Sequence, residues 1–210
     1  MCAFVIIPDH DGISGANVLN TKGAIHYLTN KEINDSRDYL LNKLEKNKDV
    51  ATLVLGGPTK HYNYSNDNIL SIFSKINKRL KEYNLQLIII PSNRTPKRTI
   101  QLAKEYFAES CIVIDEVDKF AYLSSLAMAK YIIVTCDSTS MISEAALTGK
   151  PVYVAMIPYL RSDKRFEKFR NLFERINIIK KLENKLETWN YEKLNEADRI
   201  ASVIKQKIKK

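Results

Sequence analysis

The chain has 210 residues, 45% of them apolar, and a formal charge of +9. The length suits one large domain, or one domain and a fragment of another, and the apolar share is ordinary for a chain that buries a core. The charge does not argue for nucleic acid. The basic residues are scattered apart from Lys205, Lys207, Lys209 and Lys210, and no recognition helix, RNP motif or aromatic–basic ladder appears. A sequence heavy in Lys, Asn and Ile, residues with AT-rich codons, accounts for much of the surplus as a solvated surface.

Met1 to Ile7 is apolar but short, and Pro8-Asp9 follows; it lacks the basic region and length of a signal peptide. No segment approaches the roughly 20 apolar residues that cross a bilayer. A cytoplasmic location is expected, with peripheral membrane contact through the basic tail left open. Cys2, Cys111 and Cys136 form no C-x-x-C pair and lie in or beside apolar runs, which reads as reduced thiols. His10, His26 and His61 have no zinc-ligand spacing to them, so no metal is expected.

Residues 8–24, rich in Gly, Asp, Asn and Ser, read as an irregular loop. Within them Pro8-Asp9-His10-Asp11-Gly12 is a base with an orienting carboxylate, a weak metal site, or a surface turn. With no second strand predicted to pair with Phe4–Ile7, residues 1–29 are expected to pack loosely.

From residue 50 the pattern becomes regular. Apolar runs at 51–55, 86–90, 111–114, 131–134 and 152–155 predict five buried strands. Amphipathic stretches at 66–83, 96–107, 120–129 and from Ser138 to Gly149 predict the helices between them, and 163–176 and 194–207 close the chain. Trp189 and Tyr191 are expected to pack a C-terminal helix onto the sheet. Two-sided strands alternating with helices imply an α/β fold, a doubly wound parallel Rossmann-like sheet over residues 50–210. With the order 3-2-1-4-5, the strands at 51–55 and 131–134 are neighbours, and the loops that follow them converge at the carboxyl ends.

Those loops are the two most polar in the chain. Gly56-Gly57 allows close backbone approach, and Thr59 and Lys60 add a hydroxyl and a cation, a set suited to a diphosphate or to a simple tight turn. Asp137, Ser138, Thr139, Ser140, Ser143 and Glu144 lie where the other loop enters a helix, whose first amides lack internal partners. This suits a phosphate or sugar hydroxyls, or else it is only an N-cap on a buried helix. Arg94, in Ser92-Asn93-Arg94-Thr95-Pro96, offers a planar donor fork to a phosphate, or is a solvated base beside a helix cap.

The strings G-G-P-T-K-H-Y (56–62), S-N-R-T-P (92–96), Y-I-I-V-T-C-D-S-T-S-M-I-S-E-A-A-L-T-G-K-P-V (131–152) and L-E-T-W-N-Y-E-K-L-N-E-A-D-R-I-A (186–201), with residues 8–26, resemble the ELM-type mitochondrial fission family. The resemblance covers nearly the whole chain. It implies the C-terminal half of a GT-B glycosyltransferase-like fold (50–210) preceded by a remnant of the N-terminal domain (1–30). It also implies a nucleoside-diphosphate sugar as ligand and no other cofactor. By likeness to MurG-type transferases, Glu144 takes the ribose hydroxyls and the loop at Gly56-Gly57 the phosphate. Together with the loop residues read above, the expected ligand set is Gly56, Gly57, Thr59, Lys60, Arg94, Asp137, Ser138, Ser140, Ser143 and Glu144, with no catalytic residue assigned. Three functions compete: nucleotide-sugar-dependent glycosyl transfer, with Lys60 and Arg94 steadying the leaving diphosphate; nucleoside-diphosphate-sugar epimerisation, which here lacks a G-x-G-x-x-G fingerprint for NAD; and a non-catalytic, membrane- or organelle-associated interaction module. A second chain that supplies the remaining domain is a further expected partner.

Overall fold

The computed structural model describes residues 4–183 and 185–208, with the Glu109 side chain left aside. Cys2, Lys209 and Lys210 lie outside the described residues. The centre of the molecule is a six-stranded parallel sheet formed by β3 (Asp49–Leu55), β4 (Leu85–Pro91), β5 (Cys111–Val113), β6 (Ala129–Thr135), β7 (Val152–Ala155) and β8 (Ile179–Lys181). Its order is β5-β4-β3-β6-β7-β8. Leu53 lies opposite Ile89 on one side and Ile133 on the other, so the first strand of the unit is central. Strands β3 and β4 are buried along almost their whole length, as continuous Val, Leu and Ile runs covered on both faces must be.

The five expected strands stand in the expected order. The sixth, β8, was not expected: Ile179-Lys180-Lys181 is too short and too basic to stand out as a strand, and it sits at the edge beside β7.

Helices α2 (Asn66–Glu82), α3 (Lys97–Phe107), α4 (Lys119–Met128), α5 (Thr139–Ala146), α6 (Lys164–Arg175) and α7 (Glu196–Ile208) surround the sheet. Ile69, Ile72, Phe73, Ile76 and Leu80 form the buried stripe of α2. Ser65, Asp118, Ser138 and Asp163 each accept a first-turn amide with the side chain, which fixes where four of these helices begin. Helix α1 (Asn30–Asp35) carries a capping box, Thr29 with Glu32, and is followed by a 3-10 stretch over Arg37–Lys43 that seats Leu40 beside Val50, Ile88 and Ile90.

The N-terminal segment corrects the expectation of an unpaired strand and a structureless loop. Strand β1 (Val5–Pro8) pairs in parallel with β2 (Val18–Thr21) in a separate two-stranded sheet, with Val5 opposite Val18. Nor is the segment loose. The Lys22 amide donates to Glu196 (2.8 Å), Arg199 donates to the Asn20 carbonyl (2.6 Å), and Arg165 pairs with Asp11 (2.6 Å). Gly23 is wedged so tightly that a Cβ there would stand 2.7 Å from Ser143 Oγ and 2.8 Å from Leu194. Residues Asp9–Asp11 form a 3-10 turn closed by Gly12 at φ 71°. His10 is buried edge-on against Phe169 of α6, and burial lowers its pKa.

Trp189 also departs from expectation. It lies in an irregular strap between β8 and α7, packs edge-on against Tyr153 of β7, and donates to the Asn177 carbonyl (2.8 Å). The strap, not a helix, is what it pins. Among the described residues no helix is long and apolar enough to cross a membrane.

Candidate functional site

Three loops leave the carboxyl ends of β3, β4 and β6 and meet. The Gly56 amide donates to Thr135 Oγ1 (2.8 Å) and the Gly57 amide to Asp137 Oδ2 (3.0 Å). Arg94 donates to the same Oδ2 (2.8 Å) and to the Gly57 carbonyl (3.3 Å). Thr95 Oγ1 closes the junction on the Leu55 and Gly56 carbonyls (2.8 and 2.7 Å). The side chain of Asp137 is wholly buried within this junction. A Cβ on Gly56 would stand 2.0 Å from Asp137 Oδ2, and one on Gly57 would stand 2.0 Å from the Arg94 carbonyl oxygen. The glycines therefore make room first for a neighbouring loop.

The structure divides the sequence-derived site residues into two groups. Gly56, Gly57, Asp137 and the guanidinium of Arg94 bind the loops to one another, although the Arg94 side chain keeps 43% of its surface exposed. Ser143 is turned inward: it donates to the Thr139 carbonyl (2.8 Å) and accepts the Ala24 amide (2.9 Å), which ties the N-terminal segment to α5. Ser138 caps α5 by accepting the Met141 amide (3.3 Å). Thr59 Oγ1 accepts the His61 amide (3.1 Å). Lys60 and Ser140 are exposed.

Glu144 alone among the ten borders a cavity of about 220 Å³ at the carboxyl end of the sheet. Val54, Ile90 and Met141 form its apolar walls. Ser92 and Asn93 lie on one side, and the exposed Tyr27 and Val117 stand at its mouth. Tyr122 of α4 donates to Glu144 Oε2 (2.7 Å). Burial raises the pKa of Glu144, while the Tyr122 hydrogen bond and the nearby His26 pull it back down. Desolvation, reinforced by Glu144, holds the Tyr122 phenol far above its ordinary range. Apolar walls with a few convergent polar groups suit a small organic ligand.

Tyr122, Tyr27, Ser92 and Asn93 were not among the site residues read from sequence. Ser92 and Asn93 carried a signal, since they directly follow a strand at the ligand edge of the sheet. Tyr122 carried none: it sits in a helix, 22 residues before its partner. Among the described residues no group of three His, Cys, Asp or Glu is placed to hold a metal ion.

A parallel sheet with this order, flanked by helices, defines a doubly wound, Rossmann-like type of α/β fold. The chain belongs to the family described as Mitochondrial fission ELM1, whose model matches residues 2–208. It is 31% identical over 206 residues to the uncharacterized protein RP120 of Rickettsia prowazekii (strain Madrid E), covering 95% of this chain and 58% of that one. It is 36% identical over 89 residues to the mitochondrial fission protein ELM1 of Arabidopsis thaliana, covering 41% of this chain and 21% of that one. The chain thus spans well under two thirds of the length of both relatives. Among solved structures, the UDP-GlcNAc 2-epimerase of Neisseria meningitidis bound to UDP-GlcNAc superposes with a TM-score of 0.54 at 17% identity, over 93% of this chain and 49% of that one. The S. aureus MnaA–UDP structure gives 0.50 at 17% identity, over 92% and 47%. These likenesses identify the fold as GT-B-like.

Proposed function

We propose that this chain binds the nucleoside diphosphate of a nucleotide sugar, with the ribose hydroxyls on Glu144. The observation that carries the reading is Glu144 itself, a largely buried carboxylate that borders an apolar cavity and has one oxygen held by Tyr122. A carboxylate accepts two vicinal hydroxyls well, and the adjoining cavity is of a size for a planar base between Asn93 and Val117. The diphosphate is placed at the N-terminus of α5, where the amides of Thr139 and Ser140 have no intrahelical partner and the helix dipole favours negative charge. Lys60, on the adjoining loop, is an exposed cation at the same edge of the sheet. The two UDP-containing neighbours of the same fold give the reading its first probe. Glycosyl transfer or epimerisation fits such a donor half, and neither is assigned a residue here.

Isothermal titration with UDP, GDP and ADP tests the reading. Wild-type protein is expected to bind at least one of them, and Glu144→Gln to bind it about tenfold more weakly, as loss of a charged hydrogen bond of about 1.5 kcal/mol implies. Circular dichroism checks that the variant is folded. Absence of binding at millimolar nucleotide defeats the reading.

A further inference from the structure

Glu144 is a carboxylate in an unusual position. It is buried against apolar walls, yet no Lys or Arg lies within ion-pair distance of it among the described residues. The charged groups at the cavity mouth are engaged elsewhere. Lys119 pairs with Glu32 (3.1 Å) and lies over the Tyr27 ring. Asp118 caps α4 through the Phe120 and Ala121 amides and accepts the Tyr39 hydroxyl. His26 of the N-terminal segment acts on Glu144 only at longer range, with no hydrogen bond between them. What remains in direct contact is one neutral donor, the Tyr122 hydroxyl, on Oε2; Oε1 has no partner among the described residues. A desolvated carboxylate keeps its charge only through such contacts.

We propose that Tyr122 is the positioning residue of this site: its hydroxyl, bonded to Oε2, holds the Glu144 carboxylate in one orientation, so that Oε1 reads the ligand's diol. This rests on the nucleotide reading above and adds to it a selectivity for ribo- over 2′-deoxyribonucleotides that depends on Tyr122, a residue of the cavity lining that acts on the diol through Glu144. Tyr122 itself stays protonated throughout, since burial and Glu144 both oppose its ionisation.

The test is Tyr122→Phe, which keeps the ring and removes the donor. Two readouts are taken. The first is the titration of the Glu144 carboxyl by carbon NMR on protein labelled at Glu, assigned by comparison with Glu144→Gln. The second is the affinity for UDP and for 2′-deoxy-UDP at pH 8 and pH 6. In Tyr122→Phe the carboxyl is expected to titrate at higher pH than in wild type. UDP binding is expected to weaken about tenfold, with the UDP to 2′-deoxy-UDP ratio narrowed. The loss should deepen from pH 8 to pH 6, because a raised carboxyl pKa neutralises the acceptor as pH falls. A residue that only fills space would change neither the titration nor the ratio, so either readout left at its wild-type value overturns the positioning role. Wild-type protein that binds neither nucleotide overturns the nucleotide reading, and the diol selectivity with it, a result distinct from wild-type binding with an unaltered ratio in the variant.

Discussion

At the scale of single residues, Gly57 and Asp137 show why a glycine-rich loop beside a ligand edge is not read by its glycines alone. The Gly57 amide donates to a wholly buried carboxylate, and its α-carbon lies against the backbone of Arg94. A methyl group there would have to displace main chain, since the nearest atom is a carbonyl oxygen and not the end of a flexible side chain. Gly57→Ala is therefore expected to lower unfolding stability by about 1–3 kcal/mol, the usual range for overpacking. Urea denaturation followed by circular dichroism checks it, and a midpoint equal to wild type contradicts the tight junction.

At the scale of elements, α4 ends under two cations and no acid. Lys150 donates to the Leu126 and Ala127 carbonyls (2.8 and 2.5 Å), and Arg37 donates to that of Ala127 (3.3 Å). Cations at a helix C-terminus satisfy free carbonyls and the dipole. Here burial nevertheless dominates, with Arg37 and Lys193 adding repulsion, and the Lys150 ammonium is pushed down to about 8. The folded state thus disfavours the charged form. The unfolded chain holds its proton up to about 10.4, so stability from this group is lowest below pH 8 and recovers as pH rises from about 8 to 10.4. Over that window the unfolding free energy of wild type is expected to rise relative to Lys150→Met. Parallel denaturation curves at pH 7.5 and 10 measure the difference, and an unchanged gap between the two proteins rejects the assignment. A second junction of elements is fully satisfied instead. Arg170 of α6 donates to Tyr62 (2.7 Å) and Tyr159 (2.6 Å), and Tyr62 donates to Asp163, which fixes the loop after β3 against α6.

At the scale of the whole molecule, the N-terminal segment and the C-terminal helices form one unit around α5. Gly23 sits between Ser143 of α5, Phe173 of α6 and Leu194 ahead of α7, and the chain then runs on to Tyr27 and Leu28 at the cavity. Gly23→Val should force that segment outward, costing about 1–3 kcal/mol and opening the cavity wall. Its measurable consequence is joint: a lower melting temperature and weaker UDP binding in the same variant. A lower melting temperature with undiminished binding would show that the segment steadies the fold without shaping the cavity.

Local pattern determined a great deal about this protein. Apolar runs of strand length, helices at a 3.6-residue period and Ser or Asp caps are short-range signals, and the order of the five main strands follows from how parallel crossovers must wind. That order alone brought the loops after β3 and β6 together. The sequence strings also carried the family. Tertiary structure decided which polar side chains turn inward. Asp137 and Arg94 are 43 residues apart, Ser143 and Ala24 are 119 apart, and Tyr122 and Glu144 are 22 apart, so no local period links them. Asp137, Ser143 and Glu144 look alike as polar residues at one helix entrance, yet the first two are buried against distant partners while Glu144 borders the cavity. The pairing of β1 with β2 belongs to the same class. A four-residue run such as Val18–Thr21 becomes a strand only when another strand is beside it to satisfy its backbone, and that neighbour is a fact of the fold.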